Sequence, residues 1–134
     1  MASILKVDEL RGIASAGDIT VTSEGGAATQ SLQQGLAKST IVYDQTAPSI
    51  TGSLNISSLT DTSTGRAFPQ FTSNHSAADY SAVNSAGMAS AGASGRCGET
   101  NPYSTSQYEF HTFNTSGAVG DYTGNSATTF GDLA

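Results

Sequence analysis

The sequence lacks most of the features that stabilise a small protein or anchor it in a membrane. Cys97 is the one cysteine among 134 residues, so no disulfide can form within the chain. His75 and His111 are far apart and show no metal-ligand spacing. No apolar run approaches the ~20 residues of a membrane-spanning helix, and the start has no signal-peptide core. We therefore expect no disulfide, metal, cofactor or membrane partner.

Positive charge is also scarce. Five Lys and Arg stand against 11 Asp and Glu, which gives a net charge of -6 and a pI near 4.5. Because affinity for nucleic acids depends on clustered cations, this balance predicts no nucleic-acid partner. Charged residues make up only 12% of the chain, so charge repulsion is not expected to keep it unfolded.

Large apolar side chains are few. Ile, Leu, Val and Phe supply 23 of the 134 residues, whereas Ser, Thr and Gly supply 52. Thr favours strands, while Ser and Gly favour turns, so this composition is typical of a thin β protein with a small core. Because a small core without disulfides or metals is usually stabilised by association, we expect a homo-oligomer.

The region from residue 40 to 134 has the alternation of β-strands. The clearest period-two pattern covers residues 50–59, and a second covers 107–114. Such segments, separated by polar turns, predict a mainly β chain with a small antiparallel β-sandwich or barrel. Pro69 interrupts the segment 66–72. Since proline donates no ladder hydrogen bond, we expect this strand at a sheet edge or with a bulge.

The first 39 residues are organised differently. Leu32 and Leu36 form one apolar stripe on a single helical turn, which is too short to be stable alone. We therefore divide the chain into an N-terminal attachment and oligomerisation arm at 1–30, a helical junction at 31–39 and a C-terminal β domain at 40–134. The residues expected to pack between copies are Ile19, Val21, Leu32 and Leu36. The residues expected to attach the arm are Ile4, Leu5, Val7 and Leu10.

No motif indicates catalysis. A nucleophile needs a base that a third group orients, and no Gly-x-Ser-x-Gly pattern occurs. With twenty serines, some combination of Ser with His75 or His111 is expected by chance. Asp44, Asp61 and Asp121 lie on predicted loops and cannot be paired as glycosidase carboxylates from the sequence. The sequence therefore predicts a protein that is not an enzyme.

Aromatic side chains in predicted loops are the best candidates for contact with a ligand, because their rings are common at binding surfaces and stack on apolar sugar faces. Tyr103 and Tyr122 lie in such loops. We expect these two to contact a host surface, in particular a polysaccharide. Tyr108 and Phe110 share one face of a predicted strand and are assigned to the core.

Three stretches of the sequence resemble one family. They read GDITVTSEGG at 17–26 leading to SLQQGLAK at 31–38, LNISSLTDTSTG at 54–65, and FHTFNTSG at 110–117 with FGDLA at 130–134. Together they are similar to short tail-fibre-like structural proteins of marine tailed bacteriophages of the cyanophage type. The resemblance implies a trimeric virion component with an N-terminal attachment piece and an outward-facing C-terminal β domain.

The function expected from this resemblance is structural. It predicts a non-enzymatic bacteriophage virion protein, a homotrimeric fibre or surface projection attached through its N-terminal part. Its partners would be itself and other virion proteins. One alternative is a receptor- or glycan-binding module at a fibre tip, with a host surface polysaccharide as partner. Another is a capsid decoration protein, which binds the shell through the same arm.

Overall fold

The chain folds into two units in the computed structural model, which describes residues 5–11, 19–22, 25–26, 28–87 and 96–134. Unit 1 is Met1–Leu36 and unit 2 is Ala37–Ala134. Among the described residues, no helix is long and apolar enough to cross a membrane. The described part is mainly β, and all of its strand pairs are antiparallel. The prediction of a mainly β, antiparallel fold is confirmed.

Unit 1 contains a short hairpin followed by one helical turn. Strand β1 (Thr20–Thr22) pairs with β2 (Thr29–Ser31), so that Val21 lies opposite Gln30. Helix α1 (Leu32–Gly35) begins directly after β2, and the Leu32 amide donates to the carbonyl of Ile19 at 2.7 Å. A single helical turn is therefore present and a backbone hydrogen bond ties it to the hairpin, but the turn ends at Gly35, so Leu36, predicted to share it with Leu32, lies one residue beyond.

Unit 2 consists of two four-stranded antiparallel sheets. The first sheet has the order β4-β3-β10-β7, with strands β3 (Ser39–Asp44), β4 (Ser49–Leu54), β7 (Ser81–Ser85) and β10 (Asn125–Phe130). The second sheet has the order β5-β6-β9-β8, with strands β5 (Ile56–Ser63), β6 (Arg66–Phe71), β8 (Arg96–Pro102) and β9 (Tyr108–Asn114).

The core lies between the inner faces of these two sheets and is mostly aromatic. Tyr43 of the first sheet meets Phe110 of the second edge to face, with ring centroids 5.4 Å apart. The other buried apolar residues of this cluster are Ile41, Ala67, Phe71, Tyr80, Tyr108 and Ala127. Two sheets that enclose one core form a small sandwich-like unit. The outer faces of both sheets are left for contacts with other molecules.

The long alternating pattern at 50–59 is two strands rather than one. Strand β4 ends at Leu54 in the first sheet, and β5 begins at Ile56 in the second. Asn55 between them has a φ of 56°, a left-handed conformation that asparagine tolerates better than most residues. Within β4 the ladder to β3 skips Thr51, so Ile50 faces the core and Leu54 is exposed on the outer face. Ile56 packs against the core from the second sheet. The alternation at 50–59 therefore does not correspond to the single strand that the sequence predicted.

Strand β6, which contains Pro69, lies inside its sheet. It pairs with β5 on one side and β9 on the other, so the predicted edge position is wrong. The missing amide of Pro69 is accommodated by a break in the ladder to β9. That ladder runs through Ala67 and resumes only as a bridge between Gln70 and Gln107. Register shifts of the kind made by bulges occur in the partner strand β5.

Candidate functional site

Unit 1 has a shallow apolar groove on its surface. The groove measures about 240 Å³ and is lined by Val21, Gln30, Ser31, Leu32, Gly35 and Leu36. Val21 and Leu36 are both about half exposed, and Leu32 is partly buried. Three of the four residues predicted to pack between copies therefore line one groove. The fourth, Ile19, is joined to Leu32 through its carbonyl.

The residues predicted to attach the arm are also exposed where they are described. Leu5, Val7 and Leu10 each have half or more of their surface open to solvent, and Leu5 is the most exposed of the three. Ile4 lies outside the described residues. Burial is described for residues 5–11, 19–22, 25–26, 28–32 and 35–36 of unit 1, and none of these is buried, so this part of the unit has no core of its own.

The outer face of the second sheet carries charged, amide and aromatic side chains. Side chains alternate between the two faces along β6, β8 and β9. Two residues of each strand point outward here, because their neighbours along the strand point into the core. We call this surface the polar–aromatic face. It consists of Arg66, Phe68, Glu99, Asn101, Glu109 and His111.

Glu109 is the most buried charged group on the polar–aromatic face. Its side chain is only 8% exposed and forms an ion pair with Arg66, while His111 Nε2 lies 3.0 Å from its Oε1 atom. Burial alone raises the pKa of Glu109. Hydrogen bonds and charge interactions with His111 and Arg66 outweigh that effect, so its pKa lies below the usual value. Glu109 is therefore a fixed, ionised hydrogen-bond acceptor at neutral pH.

A cleft of about 470 Å³ opens on this face. It is lined by Asn84, Glu99, Thr100, Asn101, Glu109 and His111. Asn84 reaches it from β7, where its amide contacts the Thr100 hydroxyl at 3.4 Å. The volume is in the range of small-molecule sites, and the lining side chains are hydrogen-bonding groups. The cleft can therefore accept a polar ligand of modest size.

Tyr103 extends the same face beyond the end of β8. The residue is 61% exposed, and its ring meets the ring of Phe68 edge to face, with centroids 5.5 Å apart. The other four tyrosines of the chain are buried. An exposed ring that a second aromatic ring holds in place is suited to stacking against a ligand. Tyr103 thus lies where the sequence-based hypothesis of ligand contact needs it.

The same prediction for Tyr122 has to be corrected. Tyr122 is only 7% exposed, and the guanidinium carbon of Arg96 lies 4.4 Å from its ring centroid. Its carbonyl accepts hydrogen bonds from the Gln45 amide and from the Asn125 side chain. The residue was assigned to an exposed loop because short polar residues surround it in the sequence. The fold turns it inward, so its ring is unavailable for stacking on a ligand.

His75 takes part in a buried polar cluster. Its Nε2 atom lies 3.1 Å from the Thr129 hydroxyl, which in turn lies 2.7 Å from the Ser39 hydroxyl. All three residues are buried, and the His75 ring stacks on Tyr80. Burial lowers the pKa of His75, so the ring is neutral at neutral pH. This Ser–Thr–His arrangement is closed to a substrate and is part of the packing.

Two of the three acids considered from the sequence lie close enough to interact. Burial and then the charge of Asp121 raise the pKa of Asp61. The Asp121 carboxylate accepts a hydrogen bond from the Gly65 amide at 2.7 Å, so it holds the turn between β5 and β6. Asp44 is the last residue of β3, where hydrogen bonds from Thr46 lower its pKa. Asp121 therefore has a structural role in this turn.

The outer face of the first sheet differs sharply from the polar–aromatic face. One row across its four strands runs Leu54, Thr40, Thr128 and Val83, and the next runs Gly52, Val42, Ser126 and Ser85. We call these two rows the neutral face, because no member is charged. Leu54, Val42 and Val83 are among the exposed large apolar residues of the chain.

Comparison with family models, with curated proteins and with solved structures found no significant match to this chain.

Sequence reasoning identified part of the polar–aromatic face. The alternation in 107–114 correctly placed Tyr108 and Phe110 on one side and Glu109 and His111 on the other. The partnership of Glu109 with Arg66 was missed, since it depends on the register between β6 and β9. No local signal in the sequence reports that register.

Proposed function

We propose that the chain is a non-enzymatic structural protein of a bacteriophage virion. In this proposal it forms a homotrimeric fibre or surface projection, is attached through its N-terminal part and displays unit 2. The observation that carries the proposal is the exposed apolar surface of unit 1, which has no core among its described residues. The resemblance to short tail-fibre-like proteins supplies the biological setting.

The apolar groove of unit 1 supports self-association on energetic grounds. Burying a Val or Leu side chain contributes about 1.5–3 kcal/mol relative to leaving it in water. Val21, Leu32 and Leu36 line one groove. A hairpin of two three-residue strands followed by one helical turn is too small to cover these side chains itself. Association of equivalent grooves from several copies would remove this surface from water. The oligomer would then stabilise the hairpin and the turn.

Two further surfaces support the rest of the proposal. The exposed Leu5, Val7 and Leu10 supply apolar anchors for a neighbouring virion protein. The neutral face supplies a second contact surface in a chain whose net charge is -6. Copies of an acidic protein repel each other least where a surface carries no charge. A capsid decoration protein would use the same surfaces, so the position on the particle distinguishes the two roles.

The decisive variant is Leu36→Asp. It places an ionised carboxylate in the groove of every copy, where the cost of burying like charges opposes association. In light scattering, the wild-type protein should have the mass of a trimer and the variant that of a monomer. Immunogold electron microscopy of purified particles should find the wild-type protein on the virion and lose the variant.

Val119→Asp is the matched control. Val119 is 58% exposed and Leu36 is 54% exposed, but Val119 belongs to unit 2. The control should remain trimeric and be incorporated normally. A trimeric Leu36→Asp protein would exclude the groove as the interface. A monomeric wild-type protein, or its absence from particles, would contradict the proposal as a whole.

A further inference from the structure

The polar–aromatic face has the properties of a binding site for a specific class of molecule. We propose that it binds an uncharged saccharide chain, with Tyr103 as the stacking platform and the cleft at Asn101 and Glu109 as the hydrogen-bonding part. This inference depends on the surface of unit 2 alone. It therefore holds or fails independently of the virion assignment and of the oligomeric state.

Tyr103 supplies the apolar part of the site. A sugar ring has a face of C–H groups that packs against an aromatic ring, and Tyr103 offers such a ring with 61% of its surface open. Phe68 supports it from the side at a centroid distance of 5.5 Å, which limits the orientations that Tyr103 can adopt. Little conformational entropy is then lost when a ligand stacks on it.

The cleft supplies directional hydrogen bonds. Sugar hydroxyl groups donate and accept, and they match carboxylate and amide groups that are already fixed in place. Glu109 is held by Arg66 and His111, so one acceptor is preorganised. Asn101 lies directly opposite Glu109 in the ladder and adds both a donor and an acceptor.

The spacing along β8 fits a chain rather than a single ring. Glu99 and Asn101 of β8 and Tyr103, the first residue beyond its end, follow one another at every second position, and alternate residues of an extended chain are about 7 Å apart. From Glu99 to Tyr103 the face therefore extends about 13 Å. A ligand that contacts both the cleft and the Tyr103 ring has to span more than one sugar unit.

The charges of the site decide between classes of saccharide. The net charge is -6, Glu99 is exposed beside the cleft, and the positive charge of Arg66 is already paired with Glu109. An acidic or sulfated polysaccharide would therefore be repelled, as would a nucleic acid. An uncharged chain, including one with N-acetylated sugars, meets no such barrier.

The test uses the full-length protein on an array of uncharged, N-acetylated and acidic oligosaccharides, with a single-stranded oligonucleotide as an additional probe. The best uncharged oligosaccharide is then titrated by calorimetry. Tyr103→Ala should weaken binding at least tenfold, whereas Tyr103→Phe should stay within about twofold because the ring is kept. Asn101→Ala, at an exposed position, should weaken binding several-fold without a change in thermal unfolding.

Leu54→Ala is the matched control, since Leu54 is a comparably exposed large side chain on the opposite sheet. It should bind as the wild-type protein does. The proposal is overturned if no uncharged oligosaccharide binds, if the acidic saccharides or the oligonucleotide bind best, or if Tyr103→Ala binds normally. Equal losses in Tyr103→Ala and Leu54→Ala would show non-specific adhesion and would also overturn it.

Discussion

Glu109 and His75 show how burial gives two ionisable side chains different roles. Both are largely removed from water, but Glu109 pairs with the guanidinium of Arg66, whereas the His75 ring lies against the Thr129 hydroxyl. Glu109 therefore stays charged and can act on a ligand from the surface of the sheet. His75 stays neutral and contacts the Thr129 hydroxyl and the rings of Phe71 and Tyr80 inside unit 2.

The buried His75 should make stability depend on pH in a defined window. Burial lowers its pKa, with smaller influences from the backbone of Asp132 and from the charges of Lys38 and Asp132. The unfolded chain, with an ordinary histidine pKa of about 6.5, takes up a proton before the folded chain does. The stability that the neutral ring contributes is thus fully present above pH 6.5. It is lost as the pH falls below that value, by up to about 1.4 kcal/mol per pH unit.

Thermal unfolding at pH 7.5 and 5.5 checks this prediction. The melting temperature of the wild-type protein should fall over this range. His75→Gln should be less stable at pH 7.5 and should show a smaller fall. Because the pKa of Glu109 is lowered, its contribution to stability changes only below the ordinary glutamate pKa of about 4.5, which is outside this window. A pH dependence unchanged in His75→Gln would rule out His75 as its source.

At the scale of elements, the sequence predicted strand character better than strand partners. The alternation predicted for β9 was correct because it follows from the order of side chains within the strand itself and not from the strand's partners. The division between β4 and β5 was missed because Asn55 was counted as one more polar position in the pattern. The edge position of β6 was wrong because a central strand can accept Pro69 at a break in its ladder. Register and sheet order depend on contacts distant in sequence.

Asn55 is expected to be the residue that fixes the crossing from the first sheet to the second. Its side chain accepts a hydrogen bond from the Ser73 amide at 2.7 Å and donates one to the Ser73 carbonyl at 2.9 Å. Asn55→Gly loses these bonds but keeps access to positive φ, whereas Asn55→Ala loses both advantages. Denaturant unfolding should rank wild type above Gly and Gly above Ala. The last two should differ by about 1 kcal/mol. Equal stabilities of Gly and Ala would contradict a role for the backbone conformation.

At the scale of the whole molecule, stability and assembly are predicted to reside in different units. All buried apolar residues of the described chain belong to unit 2, whose C-terminal end is tied down by the pairing of His75 with Leu133. The proposed contacts between copies belong mainly to unit 1. The boundaries drawn from the sequence at residues 30 and 39 stay predictions, as do the roles given to the arm and the junction.

A fragment that begins at Ala37 should therefore fold without unit 1. Calorimetry should show one cooperative transition, because the complete aromatic core is retained. Light scattering should give the mass of a monomer. An unfolded fragment would contradict the independence of unit 2. A trimeric fragment would move the main interface from the groove to the neutral face.

The single thiol of the chain allows binding of the proposed ligand to be followed with a covalent label. Cys97 is exposed on β8, opposite Phe113 and on the same side of the strand as Glu99. Alternate residues of a strand are about 7 Å apart, so a fluorescent or spin label on this sulfur would lie at the margin of the cleft. Since no other cysteine exists, the unmodified sequence can be labelled at one position. Ligand arrival could then be followed directly as a change in the label's environment.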